Sequence, residues 1–124
     1  MEELPKLKTL RLCVADVEKS RHFYEHLFGA APVEECADFV RFDFSGAGFE
    51  LVKADDKNPC STGGSVGYFE VGNLKDVIAD ARSAGGTIWR GPLKISEDGR
   101  HILQIKDTEG NVIGFEGHLA AGDV

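Results

Sequence analysis

The strongest constraint on this chain is an internal repeat. Residues 14–29 and 71–86 follow one plan at an offset of 57 positions. Each copy starts where an alternating apolar stretch ends in a valine, Val14 or Val71. A helix-capping residue, Asp16 or Asn73, comes two positions later, and glycine closes the helical stretch at Gly29 or Gly86. A supersecondary unit of this size cannot bury its own hydrophobic face, so two copies must pair around a shared core. The repeat is also a ruler, because it identifies equivalent positions in the two copies whose chemistry can be compared.

In the first unit Leu10, Leu12 and Val14 alternate with Thr9, Arg11 and Cys13, the period of a half-buried strand. Asp16 has a carboxylate to accept from the orphan N–H groups of a following helix. Val17, Phe23, Tyr24 and Leu27 fall on one side of that helix, and Gly29 permits a left-handed stop. Strands are expected over 32–35, 38–44 and 48–53, with Val40, Phe42 and Phe44 on one face of the middle one and Phe39, Arg41 and Asp43 on the other. The second unit predicts a strand over 66–71 and a helix capped by Asn73, with Leu74, Val77, Ile78, Ala81 and Ala84 at helical spacing and Gly85-Gly86 as its end. Strands follow over 87–90, 100–106 and 111–117, the last two joined by a turn at 107–110. The expected fold class is therefore α+β, a βαβββ order occurring twice. One domain spans 1–124, with module one over about 7–53, a loop-like linker over 54–65 and module two over about 66–117. Each helix should cover one face of its sheet and leave the other free to curve around a ligand.

Bulk properties narrow the function. A net charge of −7 argues against nucleic acid as a partner, which would need a basic patch, and is compatible with a cationic ligand. The three cysteines, Cys13, Cys36 and Cys60, are odd in number and lack metal-type spacing, which points to reduced thiols and a cytoplasmic setting. The first residues lack the apolar core of a signal peptide, and no apolar run is long enough to span a membrane.

The signature Val14-Ala-Asp-Val-Glu-Lys-Ser-x-x-Phe-Tyr24, the Asp107-x-x-Gly-Asn111 turn and the doubled βαβββ order together resemble the vicinal oxygen chelate superfamily. That group includes glyoxalase I, bleomycin-resistance proteins, fosfomycin-resistance enzymes and extradiol dioxygenases. The resemblance covers roughly residues 7–117 and implies a glyoxalase/bleomycin resistance-like fold, with curved mixed sheets forming a concave cleft. It also implies pairing of single-domain chains into a homodimer. Metal-dependent members place a His on the first strand of each unit and a Glu on the last. The corresponding positions here are Thr9, Val66, Glu50 and Gly114, so only Glu50 carries a suitable donor. Glu116 shares a strand face with Gly114 and offers a second carboxylate, and His101 is a further weak candidate. His22 and His26, four apart on the first helix, are expected on its solvent-facing flank, and His118 lies in the tail.

With Leu10, Leu12 and Val14 facing the helix, Thr9, Arg11 and Cys13 project into the concavity, matched in the second unit by Val66, Tyr68 and Glu70. One reading is an internal ion pair between Arg11 and either Glu50 or Glu70. The other is a ligand pocket in which Arg11, Glu50 and Glu70 present charge while Phe39, Tyr68 and Trp89 form flat walls. Trp89 reads equally as a core or dimer-contact residue. Glu70 in a half-apolar cleft is a conceivable acid or base, but no catalytic residue is assigned, and Cys13 has no adjacent base to activate it. The expected function is binding of a small molecule, an antibiotic or a metabolite, without a metal cofactor, in the manner of bleomycin-resistance proteins. The alternative is a lyase, isomerase or dioxygenase of the glyoxalase type, using a divalent metal held by Glu50 with Glu116 or His101. A third class acts only through dimerisation or a protein partner.

Overall fold

In the computed structural model, residues 7–60 and 65–122 are described; residues 1–6, 61–64 within the expected linker, and 123–124 lie outside them. Module one runs β1 (Thr9–Val14), α1 (Val17–Phe28), β2 (Glu34–Cys36), β3 (Phe39–Phe44) and β4 (Ala47–Lys53). Module two runs β5 (Tyr68–Asn73), α2 (Leu74–Ser83), β6 (Thr87–Lys94), β7 (Arg100–Lys106) and β8 (Val112–His118). The fold is α+β, with two four-stranded mixed sheets of matching order, β1-β4-β3-β2 and β5-β8-β7-β6. The first strand of each module pairs in parallel with its last, and the remaining pairs are antiparallel.

The helix signals act as their chemistry requires. The Asp16 side chain accepts from Lys19 N and that of Asn73 accepts from Asp76 N, each satisfying an orphan donor of the first turn. Gly29 caps α1 with φ +62°, a conformation that a Cβ would strain. Helix α1 buries Val17, Ser20, Phe23, Tyr24 and Leu27 on one face, and α2 buries Leu74, Val77 and Ala81.

Two strands depart most from the sequence-based bounds, while β2 spans Glu34–Cys36 rather than 32–35 and β3, β4 and β8 differ by one residue at one end or both. Strand β6 continues to Lys94 rather than stopping at Arg90, because Gly91 and Pro92 are absorbed by register shifts on an edge strand, where a missing N–H leaves no ladder bond unmade. Strand β5 starts at Tyr68 rather than Val66 and runs into its own helix cap, past a register shift between Glu70 and Asn73.

The core is aromatic and continuous between the modules. Phe42, Phe49 and Phe115 are almost fully buried, each side chain contributing about 1.5–3 kcal/mol through removal from water. Phe69 of β5 lies within 5.2–5.7 Å of Phe28, Phe44 and Phe49 of module one, and 5.8 Å from Phe115 of its own module. At the helix contact, His26 Nε2 and Ser83 Oγ lie 2.6 Å apart. These positions are themselves 57 residues apart. Equivalent residues thus meet where the two copies face each other.

Candidate functional site

The hairpin joining β3 to β4 sets the geometry of module one. Its two-residue loop, Ser45-Gly46, has φ +55° and +93°, the hand that matches strand twist. Pairing Phe44 with Ala47 carries Arg41 opposite Glu50, while the parallel β1–β4 ladder carries Arg11 opposite the same glutamate. Three adjacent strands therefore present Arg11, Glu50 and Arg41 in a row on the face away from α1. Arg11 donates from Nε and Nη2 to Glu50 Oε1 at 2.9 and 2.8 Å. Arg41 donates from Nη1 to Glu50 Oε2 at 2.7 Å and to Thr9 Oγ1 at 3.3 Å. Gly48 makes this possible: a Cβ there would overlap the Arg41 guanidinium. Glu50 is 6% exposed. Burial pushes its carboxyl pKa up, but hydrogen bonds and charge from both arginines outweigh burial and hold it below its ordinary value.

Module two fills the equivalent row differently. By the same pairing, Tyr68, Gly114 and Gln104 stand where Arg11, Glu50 and Arg41 stand in module one. The Tyr68 ring lies over Gly114, where a Cβ would overlap it, and its hydroxyl accepts from Gln104 Nε2 at 2.8 Å. One row further along, Arg100 donates from Nη2 to Glu70 and from Nε to Glu116, both at 2.8 Å.

The sequence-predicted residues therefore fall into separate groups. Of the two ion pairs considered for Arg11, the structure forms the one with Glu50; Glu70 belongs to Arg100. Glu116 shares the open face with Tyr68 and Glu70. His101 alternates onto the helix-facing side with the buried Leu103 and Ile105, and its Nδ1 contacts Gly99 O at 2.7 Å, so it does not converge with Glu50 and Glu116. Tyr68 and Trp89 lie on opposite edge strands of sheet two, and Phe39 lies on sheet one beside Val52, so the three rings do not form a single wall. Trp89 is 56% exposed, with Lys106 Nζ 3.4 Å above its ring. His22 is exposed and contacts Glu18.

The Asp107-x-x-Gly-Asn111 motif is structural. Asp107 accepts from the backbone of Glu109 and Asn111 through Oδ1, and from Tyr24 Oη and Asn111 Nδ2 through Oδ2. Glu109 of the same turn accepts from Ala15 N and Asp16 N at the start of α1, tying module two to module one.

A divalent metal at the positions used by metal-dependent members of the family the sequence resembles does not fit these residues. Glu50 has both oxygens engaged by guanidinium N–H groups, Thr9 accepts from Arg41, and Val66 and Gly114 supply no donor. Among the described residues, no cluster of three or more His, Cys, Asp or Glu could hold a metal ion. Arg41 and Gln104 were not anticipated as site residues. For Arg41 the β3–β4 hairpin loop was the signal, since a two-residue turn fixes which β3 residue faces Glu50.

Two grooves open beside β1. The larger, about 380 Å³, is lined by Thr9, Phe44, Gly48, Tyr68, Phe69 and Glu70 among others. The smaller, about 210 Å³, is lined by Arg11, Cys13, Pro59, Ser65, Asn111 and Val112 among others. Leu10 and Gly67 border both. No described helix is long and apolar enough to cross a membrane.

Comparison with known proteins gives the same architecture. Residues 6–115 match the profile of the Glyoxalase/Bleomycin resistance protein/Dioxygenase superfamily. The chain is 31% identical to "Glyoxalase 1" of Caenorhabditis briggsae over 94% of its own length, and spans 44% of that protein. Among solved structures, a glyoxalase/bleomycin resistance protein from Albidiferax ferrireducens T118 superposes with a TM-score of 0.75 at 21% identity, covering 90% of this chain and 98% of that one. A glyoxalase/bleomycin resistance protein/dioxygenase family enzyme from Burkholderia phytofirmans PsJN superposes with a TM-score of 0.76 at 17% identity, covering 93% and 100%. At these identities the structural likeness speaks for the fold alone.

Proposed function

The chain belongs to the Glyoxalase/Bleomycin resistance protein/Dioxygenase superfamily, and on that premise we propose that it binds a small molecule, an antibiotic or a metabolite, without using a metal ion. One observation carries this reading. The Arg41 guanidinium sits between Thr9 and Glu50, two of the positions where metal-dependent relatives place donors, and is itself a permanent cation. A metal there would have to displace two arginines from one carboxylate. The grooves beside β1 supply the concave, partly apolar surface that sequestration needs.

The second reading is a metal-dependent lyase, isomerase or dioxygenase of the glyoxalase type with a non-standard metal site; what supports it is the likeness to a protein named Glyoxalase 1, of which this chain spans 44%. We further propose that the chain forms a homodimer, since Tyr68, Trp89 and Leu93 stand exposed on module two. We place it in the cytoplasm, where the thiols of Cys13, Cys36 and Cys60, free in the structure, stay reduced.

Metal analysis of protein purified without chelator separates the two functional readings. Less than a tenth of an equivalent of nickel, zinc or manganese, with thermal stability unchanged by EDTA, is the expected result. Stoichiometric metal lost in Glu50→Gln would overturn the metal-free reading. Thermal-shift screening against glycopeptide antibiotics and small metabolites then identifies the ligand class, and no shift with any compound would count against binding.

A further inference from the structure

The ion cluster leaves part of Arg11 available. Its Nε and Nη2 meet Glu50 along one edge of the guanidinium, whereas Nη1 has no partner among the described residues. The side chain is 54% exposed and borders the 210 Å³ groove. Arg11 is the one formally charged residue among the described residues lining that groove. In a chain of net charge −7, the lining of this groove is cationic.

Three features make the free end of Arg11 a receptor for an anion. A guanidinium offers parallel N–H groups at its Nη1/Nη2 end, the spacing of the two oxygens of a carboxylate. Its other edge is held by Glu50, which is held in turn by Arg41, so little side-chain freedom remains to be lost on binding. The trio carries two positive charges and one negative, leaving a surplus positive charge. Glu34 and Asp43 lie on β2 and β3, separated from Arg11 on β1 by the intervening strand β4. Around the guanidinium, Pro59 and Val112 supply apolar surface and Ser65 a hydroxyl, and no second cation lies among the described lining residues.

We propose that the groove between β1 and the start of β8 binds a small monocarboxylate, its carboxylate docked end-on against Arg11 and its uncharged body against Val112 and Pro59. This names the ligand class for the binding function proposed above and rests on it. One guanidinium end with no second cation selects a monoanion over a dianion or a cation.

Isotope-labelled protein in EDTA buffer, titrated with pyruvate and separately with neutral pyruvamide, tests the assignment by NMR. Pyruvate is expected to shift the Arg11 Nε–H and the amides of Cys13 and Val112 in a saturable manner, and pyruvamide to leave them in place. Arg11→Gln should weaken pyruvate at least tenfold, and Arg11→Lys, which keeps the charge but not the fork, should fall between. Ser65→Asp puts a negative charge on the groove wall without touching the ion cluster and should weaken binding several-fold. Equal shifts with pyruvamide, unchanged affinity in Arg11→Gln and Ser65→Asp, or no shift at all would overturn this inference. Such results would leave metal-free binding of another ligand intact. Pyruvate shifts that arise only once manganese replaces EDTA would overturn the metal-free reading as well.

Discussion

Glu50 is a buried carboxylate whose two oxygens are engaged from two neighbouring strands. The family resemblance singled out its position; its engagement by two arginines was not legible in the sequence, because that depends on which residues face it from β1 and β3. Glu50→Gln leaves one guanidinium with a neutral acceptor and the other facing an amide NH2 that cannot accept, and is expected to cost about 1–3 kcal/mol at pH 7, checked by urea unfolding. The cost depends on pH with a defined sign. The carboxyl is held below its ordinary value in the folded state. Its contribution is therefore present above the unfolded carboxylate value and lost as pH falls through the lower folded one. The difference between native protein and Glu50→Gln should shrink by about pH 3, the acid side of an ordinary glutamate.

At the level of elements, caps, breakers and alternation placed both helices and the central strands, since those signals act within a few residues. Edge strands were harder. The expected strand ended at Arg90, just before Gly91 and Pro92, but an edge strand has one unpaired side and can accommodate them. Two glycines inside strands have the opposite meaning from a turn glycine: Gly48 and Gly114 are spaces over which Arg41 and Tyr68 lie. Gly114→Ala is expected to push the Tyr68 ring aside and break its bond to Gln104, at about 1 kcal/mol. A shift of the Gln104 side-chain amide signals toward those of a solvated amide checks it. Asp16→Ala removes the acceptor for Lys19 N and should lower stability by about 1 kcal/mol in urea unfolding.

Across the whole molecule, the two modules are joined by Phe69, by the Glu109 contact with the start of α1, and by the buried bond from Tyr24 to Asp107 at 2.6 Å. Burial first, then the Asp107 charge and hydrogen bond, raises the Tyr24 hydroxyl pKa well above its ordinary value. The stabilisation is therefore complete below the unfolded tyrosine value of about 10 and is lost as pH rises beyond it. Tyr24→Phe should cost about 1–3 kcal/mol at pH 7, with the gap narrowing at about pH 11 in thermal melts. The sequence alone determined the duplicated βαβββ plan, the helix caps and the faces of the central strands. All of these are properties of local periodicity and spacing. The tertiary structure decided that Arg11 pairs with Glu50 while Glu70 goes to Arg100, and that His101 faces the helix side. It also decided that Arg41, from the neighbouring strand β3, lies between Thr9 and Glu50. Those outcomes depend on strand register between distant segments. The repeat specified two equivalent frames, and only their folding showed that one row holds charges and the other a tyrosine over a glycine.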